Sequence, residues 1–208
     1  VLGGDLMNIT WHGHACFTVE SGGYRICLDP YTGVDGYPEL ALQAHRCLCS
    51  HGHSDHSYLQ AVTLLPTGTS PFTVQTLKTF HDNASGRLRG ENTVHILCAE
   101  GLRIAHLGDL GHPLSDQQLA VLGRLDAALI PVGGTYTLDP RQAKQTAAAL
   151  GARVILPMHY RTGEYGYGNI ADLEEFLALW DPAFVQRYPS ATLKLTDKTP
   201  PQVAVLTF

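Results

Sequence analysis

Nothing in the 208 residues reads as a membrane span, since no apolar run approaches the roughly 20 residues that crossing a bilayer requires. No charged leader followed by an apolar stretch opens the chain, and a cytoplasmic location is expected. Basic residues are scarce as well. With 14 Lys and Arg against 19 Asp and Glu, the net charge of -5 supplies no basic stripe for nucleic acid. A small anionic substrate stays compatible with that balance, because a metal cluster would supply positive charge locally. The five cysteines (Cys16, Cys27, Cys47, Cys49 and Cys98) form no CxxC pair, are odd in number and lie in apolar stretches. Buried free thiols in a reducing compartment are therefore expected, not disulfides or a thiolate metal site. The GxSxG elbow, the phosphate-cradling loop and the GxGxxG fingerprint are all missing, so three common kinds of chemistry have no carrier here.

What is present suits one globular domain: 44% hydrophobic and 16% charged residues, in a chain long enough to bury a real core. Residues 1–6, VLGGDL, precede Met7 and are set aside as a tag or leader remnant, leaving 7–208 as a single domain. Short strands fill the first half: NITW, ACFTVE and YRICLD, with Gly22-Gly23 as a hairpin turn, then RCLCS, VTLLP, FTVQTL, NTVHILCAE and LRIAHLG. Helices follow. Ser115 to Gln118 has capping-box spacing with Gly123 as a stop, and Asp139-Pro140 opens a helix whose apolar face runs through Ala143, Ala147 and Leu150 to Gly151. A third is expected over Ile170–Trp180, and AALIPV and ARVILP read as buried strands between the helices. Strands followed by strand–helix alternation predict an α/β (α+β) domain, sheets packed inside and helices outside.

The densest chemistry lies in residues 50–57, SHGHSDHS, where His51, His53, Asp55 and His56 fall at i, i+2, i+4 and i+5. A helix would turn i+2 away from i and i+4, and a strand would oppose i+5 to the other three. Neither regular element gathers all four, so an irregular turn is predicted, with Gly52 and the serines tolerating it. Crowding around one ion makes two adjacent ions the better fit. A solvated histidine-rich loop or a purification tag is the bland alternative. A position in mid-chain after an apolar strand, and an aspartate at a definite place, argue against it.

HGHSDH fits the HxHxDH signature of the metallo-β-lactamase superfamily, and TWHGHACFTVE followed by ICLDPY resembles the opening of the branch that includes the L-ascorbate-6-phosphate lactonases. The resemblance covers Asn8 to about Tyr160. It implies an αββα sandwich of two packed mixed sheets with helices on the outer faces. It also implies two divalent ions, zinc first and manganese or iron as alternatives. One ion would take His51, His53 and His81; the other would take Asp55, His56 and His159; Asp109, in IAHLGDLGH, would bridge them. Thirty positions separate His51 from His81, fewer than the family commonly shows, which leaves His95 and His106 as competitors for that place. His106, three residues before Asp109, should face away from it and is read as structural.

Asp29, ending YRICLDP, is expected to orient a ligand ring, with an ordinary turn aspartate before Pro30 as the equal alternative. His14, His112 and Tyr160 are candidates for the site mouth or for proton donation to the leaving group. Tyr160, Arg161 or Tyr165 of YRTGEYGYGNI could contact substrate, and Gly133-Gly134 would permit a close backbone approach beside the site. The implied reaction is hydrolysis of an ester, lactone or phosphodiester bond of a small, anionic metabolite by a metal-bridging hydroxide, with Asp55 and Asp109 central to catalysis. A nuclease of the same fold and a non-catalytic metal-binding protein are the alternatives. Neither a membrane nor nucleic acid is an expected partner, and homo-oligomerisation is left open.

Overall fold

The computed structural model describes residues 6–66 and 68–208, so most of the proposed leader lies outside the described residues. Two mixed sheets pack face to face. The first has five strands in the order β13-β1-β2-β3-β5, where β1 is Met7–Trp11, β2 Phe17–Ser21, β3 Tyr24–Leu28, β5 Arg46–Leu48 and β13 Thr192–Leu195. The second has seven, in the order β12-β14-β11-β10-β9-β8-β7. These are β7 Thr73–Phe80, β8 Glu91–Ala99, β9 Leu102–His106, β10 Ala127–Pro131, β11 Val154–Met158, β12 Val185–Arg187 and β14 Gln202–Val205. A small two-stranded sheet pairs β4 (Leu42–Ala44) with β6 (Val62–Leu64).

The pattern of each strand explains its place. β1 alternates, burying Met7, Ile9 and Trp11 while Asn8 and Thr10 stay half-exposed on the other face. There Thr10 bonds Thr192 at 2.8 Å and Arg25 pairs with Glu20 at 2.7 Å, so that face is polar. β10 and β11 are buried at every position and lie parallel in the middle of the larger sheet, as continuous apolar runs should. Side chains of both sheets join in one core that includes Phe17, Ile26, Ile96, Ile104, Leu129 and Leu156.

The helices are α1 (Asp116–Leu122), α2 (Pro140–Leu150) and α3 (Leu173–Leu177). Ser115 and Asp139 cap α1 and α2 through complete capping boxes, and Gly151 ends α2 in the left-handed conformation. α3 is shorter than the expected Ile170–Trp180. Asp172 caps it by accepting from Glu174 N, and its box partner Glu175 fixes that start. Beyond Pro182 the sequence offered no motif, yet β12, β13 and β14 complete both sheets. None of the helices is long and apolar enough to cross a membrane among the described residues.

The ends of β3, β5, β7, β9 and β11 deliver the unusual residues. Asp29 follows β3, SHGHSDHS follows β5, His81 follows β7, Asp109 follows β9 and His159 follows β11. Rigid strands thus fix where each side chain starts.

Candidate metal centre

Residues 51–56 form neither helix nor strand, as the spacing predicts. The bend is held from below by Asp29. Its carboxylate accepts from Ser50 N (2.6 Å), Ser50 Oγ (2.6 Å) and His56 Nδ1 (2.8 Å). Burial opposes its ionisation, yet the imidazoles of His106 and His56 and the Ser50 donors hold the carboxyl down to about 2. Ser57 Oγ donates to His53 O and His56 N to the same carbonyl, each at 2.9 Å. Gly52 is not what makes the turn: it avoids the left-handed region, and a Cβ there would meet open space.

Asp109 is the point of convergence. Its Oδ2 lies 3.1 Å from His81 Nε2, 3.2 Å from His56 Nε2, 3.4 Å from His159 Nε2 and 3.8 Å from His51 Nε2. Its backbone N–H donates to Asn92 Oδ1 at 2.9 Å, and the glycines beside it permit tight packing. A Cβ on Gly108 would strike Asn92 and Ser50, and one on Gly111 would strike the backbone of His81 and Asp82. The GDLG run therefore locks Asp109 between the signature turn and the His81 turn.

The remaining donors fall into two groups around it. His51, His53 and His81 present ligand atoms all within 4.8 Å of one another, as do His14, Asp55, His56 and His159. The outward nitrogens are tethered: His81 Nδ1 to the carbonyl of Tyr136 (3.0 Å), His56 Nδ1 to Asp29, and His51 Nδ1 to Ser50 Oγ (2.9 Å). A carbonyl only accepts, so His81 Nδ1 carries the proton and its Nε2 keeps a lone pair for the interior. Burial pushes His51 down to about 4 and His14 down to about 3, so both rings are neutral donors at neutral pH. Asp55 is held well below the usual carboxylate range: burial opposes this, and the imidazoles of His14 and His56 outweigh it.

Several buried polar atoms make no hydrogen bond among the described residues, although carboxylates stand near some of them: His51 Nε2, His56 Nε2, Asp109 Oδ1 and both ring nitrogens of His14. Left unmade, such bonds cost about 1–3 kcal/mol each. Against the effect of burial, Asp109 raises His56 and His81 above the ordinary imidazole value, so a cation would take the place of a proton on those two rings. Imidazoles with ionised carboxylates aimed at shared points are a donor set that divalent cations satisfy. The residues present therefore fit metal binding.

Not every expected residue comes to this place. His81 reaches His51 and His53, whereas its competitors are occupied elsewhere: His95 Nε2 with Cys49 O (3.0 Å) and His106 Nε2 with Ala15 O (2.9 Å). His14 lies deeper than a mouth residue, with Nε2 3.4 Å from Asp55 Oδ2 and its ring centroid 4.2 Å from that of His159. His112 does not line the cavity; its Nε2 accepts from Phe80 N (3.2 Å) and its Nδ1 donates to Pro113 O (2.7 Å). Tyr160 is also absent from it. It is buried and packs on Trp11, with ring centroids 5.6 Å apart. Arg161 pairs with Asp172 at 3.4 Å, and Tyr165 packs on Tyr37 at 5.1 Å. The close approach at Gly133 is real, since a Cβ there would strike His159 O.

A cavity of about 360 Å³ opens onto the cluster, and Arg89, Tyr136 and Tyr167 line it besides the metal-type residues. The sequence reading passed over all three. Tyr167, whose hydroxyl donates to Asp55 Oδ2 at 3.2 Å, lies in the same loop as the tyrosines that were named, and only the loop's path distinguishes them.

A sequence model of the beta-lactamase superfamily domain matches residues 8–159, a stretch that includes every residue of the cluster. The chain belongs to the metallo-β-lactamase superfamily. A UPF0173 protein of Pyrococcus furiosus is 31% identical over 193 residues, covering 82% of this chain and 89% of its own. A UPF0173 metal-dependent hydrolase of Thermoplasma acidophilum is 28% identical over 207 residues, covering 83% and 90%. Among solved structures, a Thermotoga maritima protein assigned to the zinc-dependent hydrolases of this superfamily superposes with a TM-score of 0.77 at 35% identity, covering 96% of this chain and 98% of its own. A metallo hydrolase of Ignicoccus hospitalis, at 20% identity and a TM-score of 0.64, covers 93% and 100% and shares the fold. This superfamily member is a metal-dependent hydrolase.

Proposed function

We propose that the enzyme is a dinuclear hydrolase of an ester, lactone or phosphodiester bond in a small, anionic metabolite. The observation that carries this reading is Asp109: one buried carboxylate within 3.4 Å of imidazoles from both donor groups, His81 on one side and His56 and His159 on the other. Such a carboxylate suits a bridge. His51, His53 and His81 would hold one ion, and Asp55, His56 and His159 the other, with His14 close to the second group. The pair, when bound, supplies Lewis-acid polarisation and an acidified water at neutral pH. Zinc suits the imidazole-rich set, and manganese or iron suits the carboxylates.

The chain's own residues do the rest. Asp29, Ser50 and the Tyr136 carbonyl fix ring orientation before any substrate arrives, so little reorganisation is needed during reaction. Tyr167, hydrogen-bonded to Asp55, carries a hydroxyl into the cavity. Burial and the Asp55 and Asp109 charges push that phenol up from its ordinary value, so it stays protonated and offers substrate a hydrogen bond rather than a proton. The cavity's size suits a small molecule.

Metal analysis of the purified protein should return close to two divalent ions per chain. His53→Ala should remove one of them and abolish turnover while circular dichroism stays unchanged. Full activity in that variant would defeat the proposal.

A further inference from the structure

Within the cavity one cationic side chain has no place in metal binding and no carboxylate partner among the described residues. Arg89 is the cationic residue among those lining the cavity, and it forms no ion pair among the described residues. A surface arginine is ordinarily a solvated tether, but this one is built in place from two directions.

Its backbone is fixed by Asp82, the residue after His81. Asp82 is buried and accepts four backbone N–H bonds: Ala84 (2.7 Å) and Gly86 (2.9 Å) on Oδ1, Leu88 (3.0 Å) and Arg89 (2.8 Å) on Oδ2. The loop closes on itself through Gly90 N to Gly86 O (2.9 Å) and His81 N to Gly90 O (3.1 Å). Arg89 therefore starts from a defined point one tight loop away from His81. Its side chain is fixed by Tyr136, with the guanidinium carbon 5.6 Å from the ring centroid. That ring is itself held, because the Tyr136 hydroxyl accepts from Asn169 Nδ2 at 2.6 Å. The carbonyl of the same Tyr136 accepts a hydrogen bond from His81 Nδ1. One residue thus sets both a metal-type imidazole and the arginine platform.

A guanidinium so placed, planar and lacking a carboxylate, is a fork for an oxyanion. We propose that Arg89 determines substrate specificity by binding a carboxylate or phosphate group that the substrate carries at a distance from its scissile bond. The inference rests on the dinuclear reading above, and it names the polarity of the substrate: the bond to be cut at the imidazole cluster, the anion at the Tyr136 wall.

The test uses full-length protein loaded with cobalt(II), whose sulfur-to-metal absorption reports thiolate binding. A series of ω-mercaptocarboxylates of increasing chain length is titrated beside their methyl esters, and the ratio of ester to acid Kd is read. The wild type should favour the acid by on the order of tenfold at the chain length that spans the cavity. Arg89→Gln should bring the ratio to about one, and Arg89→Lys should keep part of the preference, since charge remains and the fork is lost. Mercaptoalkyl phosphates form a second arm, and the tighter of the two anions names the class. A wild-type ratio near one at every length, or an undiminished ratio in Arg89→Gln, overturns the role of Arg89 while leaving the metal reading intact. Absence of any thiolate absorption in the wild type overturns both.

Discussion

Asp29→Asn is the sharpest test of how the site is organised, because it changes one atom pair and leaves the shape alone. The carboxylate now serves three buried donors, Ser50 N, Ser50 Oγ and His56 Nδ1, at 2.6 to 2.8 Å. A carboxamide offers one acceptor oxygen and turns an N–H₂ toward the others, so at least one donor loses its partner. An orphaned buried donor costs about 1–3 kcal/mol, and every 1.4 kcal/mol is tenfold in affinity. Metal affinity should fall by about one to two orders of magnitude, measured by competition with a chromophoric chelator on the refolded metal-free protein. The acid limb of stability should change too. The folded carboxyl titrates at about 2 against an ordinary 3.8, so the unfolded chain takes the proton first. Its stabilising contribution is full above about pH 3.8 and is lost as pH falls through about 2, a segment the asparagine variant should lack. Affinity within about twofold of wild type would show that Asp29 is only a turn residue.

The glycines make opposite predictions. Gly111→Ala should lower the thermal midpoint sharply and cut metal uptake, because its Cβ would strike the His81 backbone, whereas Gly52→Ala should stay within about 0.5 kcal/mol of wild type in urea unfolding. His112→Ala should retain turnover and lose about 1 kcal/mol of stability, since it only deprives Phe80 N of an acceptor and Pro113 O of a donor. Burial, aided by the Arg25 charge, holds His12 at about 4, below the 6.5 of an unfolded chain. Its contribution to stability should be complete above pH 6.5 and fade as pH drops toward 4, and His12→Gln should flatten that stretch of the acid-unfolding curve.

Local rules in the sequence determined what local physics controls. The period-two pattern of MNITW, the unbroken apolar runs AALIP and VILPM, and the capping boxes at Ser115 and Asp139 all specify their elements through neighbours a few residues away. The same holds for the signature turn, because four metal-type side chains at those offsets cannot share a regular element. Only the tertiary structure decided which distant residues meet them. His81, His95 and His106 are alike as side chains, and the difference is that the latter two spend their Nε2 on the carbonyls of Cys49 and Ala15. Tyr160 packs on Trp11 in the core while Tyr167, seven residues on, reaches Asp55 in the cavity, a difference set by the path of the loop between them. Arg89 left no trace in the sequence at all: its position depends on a loop wound around the Asp82 carboxylate and on a tyrosine ring 47 residues away in the chain. Contacts that close such long loops carry no periodicity and no motif, so they are fixed only when the strands that bear them assemble into one rim.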